Sequence, residues 1–142
     1  MKAVKLNLLS FLIMFIGISN DIICQTKETL KTNDMMIRIS EIEIDSNYLD
    51  EYIAILKEES EASVKLEPGV ISIYPMFQKE NPTEIRILEI YANKEAYESH
   101  LQTPHFKHYK TTTLNMVKSL KLIDMIALDK ETMPDIFKKL KQ

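Results

Sequence analysis

Four β-rich runs, two intervening stretches whose apolar residues recur at helical spacing, and a polar turn joining the second run directly to the third predict an α+β protein. The order strand, helix, strand, strand, helix, strand is the ferredoxin-like βαββαβ arrangement, a four-stranded antiparallel sheet with both helices on one face. In several runs both parities are apolar, as in Arg86-Ile-Leu-Glu-Ile-Tyr91 and Leu122-Ile-Asp-Met-Ile126. A sheet open to water on one side alternates cleanly. The face without helices is therefore expected to pack on a second copy, giving a homodimer with sheet against sheet.

The first 24 residues read as an export signal. Met1-Lys-Ala-Val-Lys5 is basic, and Leu6 to Cys24 is a run of Leu, Ile, Phe and Met broken only by small or polar residues. Its apolar centre, Leu8 to Ile18, is shorter than the ~20 residues that span a bilayer. A cleaved signal is expected, with a periplasmic or envelope location. Membrane attachment then depends on Cys24, which either carries a lipid or is discarded with the signal. Cys24 is the only cysteine, which excludes an intramolecular disulfide and a thiolate metal site. Removing Lys2, Lys5 and Asp21 from 18 basic and 21 acidic residues leaves 16 and 20, a net charge of −4. Nucleic acid recruits a basic surface and is not an expected partner. Residues 25–34 are polar and read as a linker. Residues 35–129 suit a single core, and 130–142 form a C-terminal helical extension.

Strand one is read over Met36 to Ile44. Ile37 and Ile39 share one parity and Ile42 and Ile44 the other, which calls for a bulge near Ser40-Glu41 or for two partly covered faces. Asn47 with Asp50 starts the first helix. Leu49, Tyr52, Ile53, Leu56 and Val64 are its buried face, while Lys57, Glu58, Glu59 and Glu61 are solvated. Glu67-Pro-Gly69 stops it. Val70 to Phe77 is strand two, with Val70, Ser72, Tyr74 and Met76 opposed to Ile71, Ile73 and Phe77. Lys79-Glu-Asn-Pro-Thr83 then turns into strand three at 84–92, completing a hairpin.

Strand three sends Ile85, Ile87, Glu89 and Tyr91 to one face. A carboxylate there costs several kcal/mol unless it is exposed or paired. Asn93 caps the second helix, on which Ala96, Tyr97, His100 and Leu101 form an inward stripe. Thr103-Pro104 breaks and restarts it. Phe106, Tyr109, Thr113, Met116 and Val117 continue the stripe to about Lys118. Strand four is placed at Leu120 to Leu128, and Met133 to Leu140 adds a short terminal helix whose Lys138, Lys139 and Lys141 suit its C-terminus.

Glu67-Pro-Gly-Val-Ile71, Leu88-Glu-Ile-Tyr91, Glu95-Ala-Tyr-Glu-Ser-His100 and Thr103-Pro-His-Phe106, in this order and spacing, resemble the antibiotic biosynthesis monooxygenase (ABM) domain family over residues 35–129. The resemblance implies a dimeric α+β barrel with a small pocket between the sheet and the helices of each subunit. It also implies, for some members, quinol-monooxygenase-like oxidation of aromatic compounds by O2 with no metal or flavin. Other members resemble sugar-aldehyde isomerases of signal degradation, and one branch cleaves heme. Heme cleavers need a tryptophan where this chain has Tyr91, and the chain contains none. The expected function is a cofactor-independent monooxygenase acting with O2 on a small quinol or phenolic compound. Two alternatives stay open: a non-catalytic small-molecule-binding or stress-response module, and an isomerase on a small sugar-like signal.

On the oxygenase reading His100 is the base, because an unperturbed imidazole, pKa about 6.5, is mostly neutral at pH 7. Glu89 is expected to hold its tautomer. Tyr74, Tyr91, Tyr97 and Phe106 are expected against the substrate, with Arg86 or Arg38 stabilising an oxyanion if either points inward. The plain counterpart is a structural Glu89–His100 hydrogen bond tying helix to sheet, with the aromatics filling the core. His100, His105 and His108 lie close in sequence, but Pro104 interrupts them and no Asp follows. His105 and His108 are accordingly read as exposed, and no metal or other cofactor is expected. The eight methionines are scattered and read as core filling.

Overall fold

The computed structural model describes residues 34–129 and 132–139. The expected signal, almost all of the linker and the chain after Lys139 lie outside the described residues. The elements are β1 (Met36–Ile44), a 3-10 turn (Ser46–Tyr48), α1 (Leu49–Leu66), β2 (Val70–Phe77), β3 (Glu84–Tyr91), α2 (Lys94–His100), α3 (Pro104–Thr112), β4 (Val117–Met125) and α4 (Met133–Lys139). The strands form one antiparallel sheet in the order β2-β3-β1-β4, the connection expected of the ferredoxin-like fold. α2 and α3 are the two halves of the predicted second helix. Among the described residues no helix is long and apolar enough to cross a membrane.

Local chemistry sets the breaks. The Asp45 side chain accepts from the Asn47 N–H at 2.9 Å and opens the turn before α1. Asn93 accepts from Ala96 N–H at 2.8 Å, and Thr103 accepts from Phe106 N–H with Pro104 in the first helical turn. Gly69 has a steric reason. A Cβ there would lie 2.5 Å from the Ala96 Cβ, so only glycine lets α2 approach the start of β2 this closely.

The core lies between the sheet and the helices. Ile42, Ile44, Ile73, Ile85, Ile87 and Tyr91 from the strands meet Tyr52 and Leu56 of α1. β4 is an edge strand with both faces largely exposed.

Several sequence expectations are corrected. β1 has no bulge at Ser40-Glu41: its register against β3 is continuous, and the phase change arises because polar Arg38 and Ser40 share the buried parity with Ile42 and Ile44. In β2 a register shift between Val70 and Ser72 places Val70 and Ile73 on the same buried face, which simple alternation had opposed. The inward face of α1 is Tyr52, Leu56, Glu59, Ser60 and Ser63, so Glu59 is buried and Val64 is exposed. Helical phase, not side-chain polarity, decides this. α3 ends at Thr112: Thr113 N–H makes the last helical bond, to the Tyr109 carbonyl, and Met116 N–H then closes a turn on Thr113. β4 therefore starts at Val117 and ends at Met125, three residues earlier at each end than expected.

Candidate active site

A cavity of about 250 Å³ opens between the helices and the sheet face they cover. Ser40, Ile87, Glu89 and Tyr91 form its floor, and Leu56 and Glu59 of α1 one wall. Tyr97 and His100 of α2 and Phe106 and Tyr109 of α3 close over it. Exposed Lys110, Leu120 and Leu122 mark the rim. Pockets for drug-sized ligands run about 300–1,000 Å³. This cavity lies just below that range.

On the floor, the Tyr91 hydroxyl donates to Glu89 Oε2 at 2.9 Å and the Ser40 hydroxyl donates to Glu89 Oε1. Burial, reinforced by the Glu89 charge, pushes the Tyr91 phenol far up, so it stays a neutral donor. Beside them Arg38 meets Asp124 at 2.8 Å and lies 4.7 Å from the centre of the Tyr97 ring. Burial works against the guanidinium charge, but Asp124 and Tyr97 outweigh it.

His100 is buried, with its ring centroid 4.7 Å from that of Phe106 and 5.5 Å from that of Tyr91. Its Nδ1 lies 3.0 Å from Glu67 Oε1, and His105 Nε2 reaches the same oxygen at 2.6 Å. Its Nε2 lies 3.7 Å from Glu59 Oε1, a carboxylate that also accepts from Ser63 at 2.8 Å. The two acids respond oppositely to their surroundings. Burial lifts the Glu59 carboxyl above its ordinary value, only partly opposed by Ser63 and His100. Burial also lifts Glu67, but the hydrogen bonds with His100 and then His105 reverse that and leave it below the ordinary range.

Of the residues singled out in the sequence, Glu89, Tyr91, Tyr97, His100, Phe106 and Arg38 line the cavity. Tyr74 and Arg86 do not. Both fall on the opposite face, Tyr74 largely exposed beside Leu88 and Arg86 paired with Glu84 and Glu41. The expected grip of Glu89 on His100 is replaced by one from Glu67, since both Glu89 oxygens are engaged by Ser40 and Tyr91. His105, expected on an exposed face, turns inward to Glu67, whereas His108 is exposed.

Sequence reasoning missed Glu59 and Glu67. The first sits in a run of glutamates that reads as solvated, and only the spacing Tyr52, Leu56, Glu59, Ser63 marks it as inward. The second reads as part of a helix stop; its partners are 33 and 38 residues away, beyond any local pattern.

A family model described as antibiotic biosynthesis monooxygenase matches residues 35–112. A crystal structure from Bacteroides thetaiotaomicron VPI-5482, provisionally named an antibiotic biosynthesis monooxygenase, is 52% identical, with coverage of 70% of this chain and 94% of that chain and a TM-score of 0.69. Another from Lactobacillus acidophilus NCFM, provisionally named a monooxygenase, is 31% identical over 66% of this chain and 44% of that chain, with a TM-score of 0.64. A third from Nitrosomonas europaea, at 18% identity and a TM-score of 0.63 over 66% of this chain and 90% of that chain, shares the fold. No protein of curated function matches.

Proposed function

Because the chain belongs to the antibiotic biosynthesis monooxygenase family, we propose that it is an exported monooxygenase that oxidises a small quinol or phenolic compound with O2 in this cavity, without a cofactor. The observation that carries the reading is the buried His100, which lines the cavity while Glu67 holds its Nδ1 at 3.0 Å. With Glu67 ionised, the ring proton sits on Nδ1 and Nε2 is the acceptor.

A bound hydroquinone gives a hydroxyl proton to Nε2, and Glu67 and Glu59 stabilise the imidazolium that forms. The anion left behind is held by the Arg38 guanidinium, and it is electron-rich enough to reduce O2. One oxygen atom bonds to the ring and the other leaves as water. Hydroquinone plus O2 thus becomes hydroxyquinone plus water, with the substrate supplying every electron. The apolar walls keep bulk water from the anion. Glu89 serves here by orienting Tyr91, not His100.

The proposal includes a homodimer. Tyr74, Met76 and Met125 are exposed apolar side chains, Tyr74 and Met125 on the sheet face away from the helices, where burial against a second copy would be favourable.

Oxygen uptake by metal-free protein with a panel of hydroquinones and naphthoquinols tests the chemistry. Uptake matched to hydroxyquinone formation is expected, falling about 10²–10⁴-fold in His100→Ala. No uptake above buffer with any quinol would contradict the proposal, and turnover of a sugar-like compound without oxygen would favour the isomerase alternative.

A further inference from the structure

The end of α1, the end of α2 and the start of α3 bring three metal-ligating atoms together. Glu67 Oε1, His100 Nδ1 and His105 Nε2 all lie within 4.8 Å of one another, and the oxygen is 3.0 and 2.6 Å from the two nitrogens. A four-coordinate zinc ion binds imidazole and carboxylate atoms at about 2.0–2.2 Å, which sets its ligands roughly 3.3 Å apart. The two oxygen–nitrogen distances reach that spacing when they lengthen by about 0.3 and 0.7 Å. A metal-bound histidine also hands its other N–H to a carboxylate, and Glu59, fixed by Ser63 at 2.8 Å, faces His100 Nε2 at 3.7 Å. A surface hollow lined by Glu58, Glu59, His105 and His108 gives an ion and a water ligand a way in from solvent.

We propose that Glu67, His100 and His105 form a divalent-metal site of two imidazoles and one carboxylate, with Glu59 behind His100 as the outer carboxylate and zinc as the ion of best fit. Calcium and magnesium prefer six or more oxygen ligands and do not suit two imidazoles. Ligation at Nδ1 leaves the ring proton on Nε2, so a loaded site and a proton-accepting His100 exclude each other. Resting on the oxygenase reading above, this makes zinc an inhibitor of turnover.

Metal-stripped protein is titrated with Zn²⁺ by calorimetry and with Co²⁺ by visible absorption. One ion per chain is expected, with a Co²⁺ band of four-coordinate intensity. Affinity should fall about ten-fold or more in His105→Gln and in Glu67→Gln. His108→Gln, a change in the same hollow, should stay within about two-fold. No saturable Co²⁺ band in the wild-type protein overturns the proposal. So does binding that is lost in His108→Gln but kept in His105→Gln, which would put the ion on the outer rim. Should a variant fail to fold, X-ray absorption of the zinc-loaded wild-type chain decides: two imidazoles and a carboxylate support the site, and any other set removes it. Neither readout needs quinol turnover, so failure here leaves the oxygenase reading standing, and a chain that consumes no oxygen can still bind the ion.

Discussion

Glu59 and Glu67 flank one imidazole, yet their surroundings drive the two carboxyls in opposite directions. Burial raises Glu59, so its ionised form is the one the native state disfavours. The cost is absent below the unfolded pKa, about 4.3 for an ordinary glutamate, and grows as pH rises through the higher folded value. Glu59→Gln keeps an oxygen for the Ser63 hydroxyl and removes the charge. It is expected to melt higher than the wild-type protein at pH 7, with the gain vanishing in melts at pH 4. Glu67 carries the opposite sign. Its depressed pKa gives stability that is present above pH about 4.3 and lost as pH falls through the lower folded value. Glu67→Gln should cost about 1.5–3 kcal/mol at pH 7, the range for hydrogen bonds to a charged group. Urea melts at pH 7 and pH 3 check this: the difference should shrink in acid, and a constant difference would mean that the charge plays no part.

α2 sits where it does because Gly69 offers no side chain to Ala96. Gly69→Ala forces the Cβ atoms to within 2.5 Å and should destabilise the fold by about 1–3 kcal/mol while loosening the His100–Glu67 contact. A thermal melt alongside the His100 imidazole resonances in NMR checks both effects. The same element shows what the sequence made legible. Asn93, Thr103 and Pro104 announce their caps through neighbouring atoms, and the β2–β3 hairpin is written in its turn, so these are legible in the sequence itself. Features that depend on distant partners were not. The β2 register shift at Val70/Ser72 inverts the alternation that had sent Tyr74 toward the substrate. α3 gives way after Thr113 to a turn closed by Met116 N–H, in a stretch whose apolar spacing still reads as helix. Glu59 looks like surface because charge is visible in a sequence and helical phase must be followed to be seen.

At the scale of the whole molecule, two helical segments and α1 cover β1, β2 and β3 on one side and leave β4 and the far face bare. A monomer would hold Tyr74 and Met125 in water, and the proposed dimer removes them from it. Sedimentation of the protein should give a dimer, with Tyr74→Glu shifting it to monomer. A monomeric wild-type chain would contradict the pairing and leave the cavity intact. The proposed chemistry turns on Glu67 holding His100 as the base beside a small hollow. Steady-state oxygen uptake by Glu67→Gln, with the quinol that the wild-type protein turns over fastest, tests that most directly. The prediction is a kcat lower by about 10²-fold or more with KM nearly unchanged, and a kcat equal to the wild-type value would contradict it.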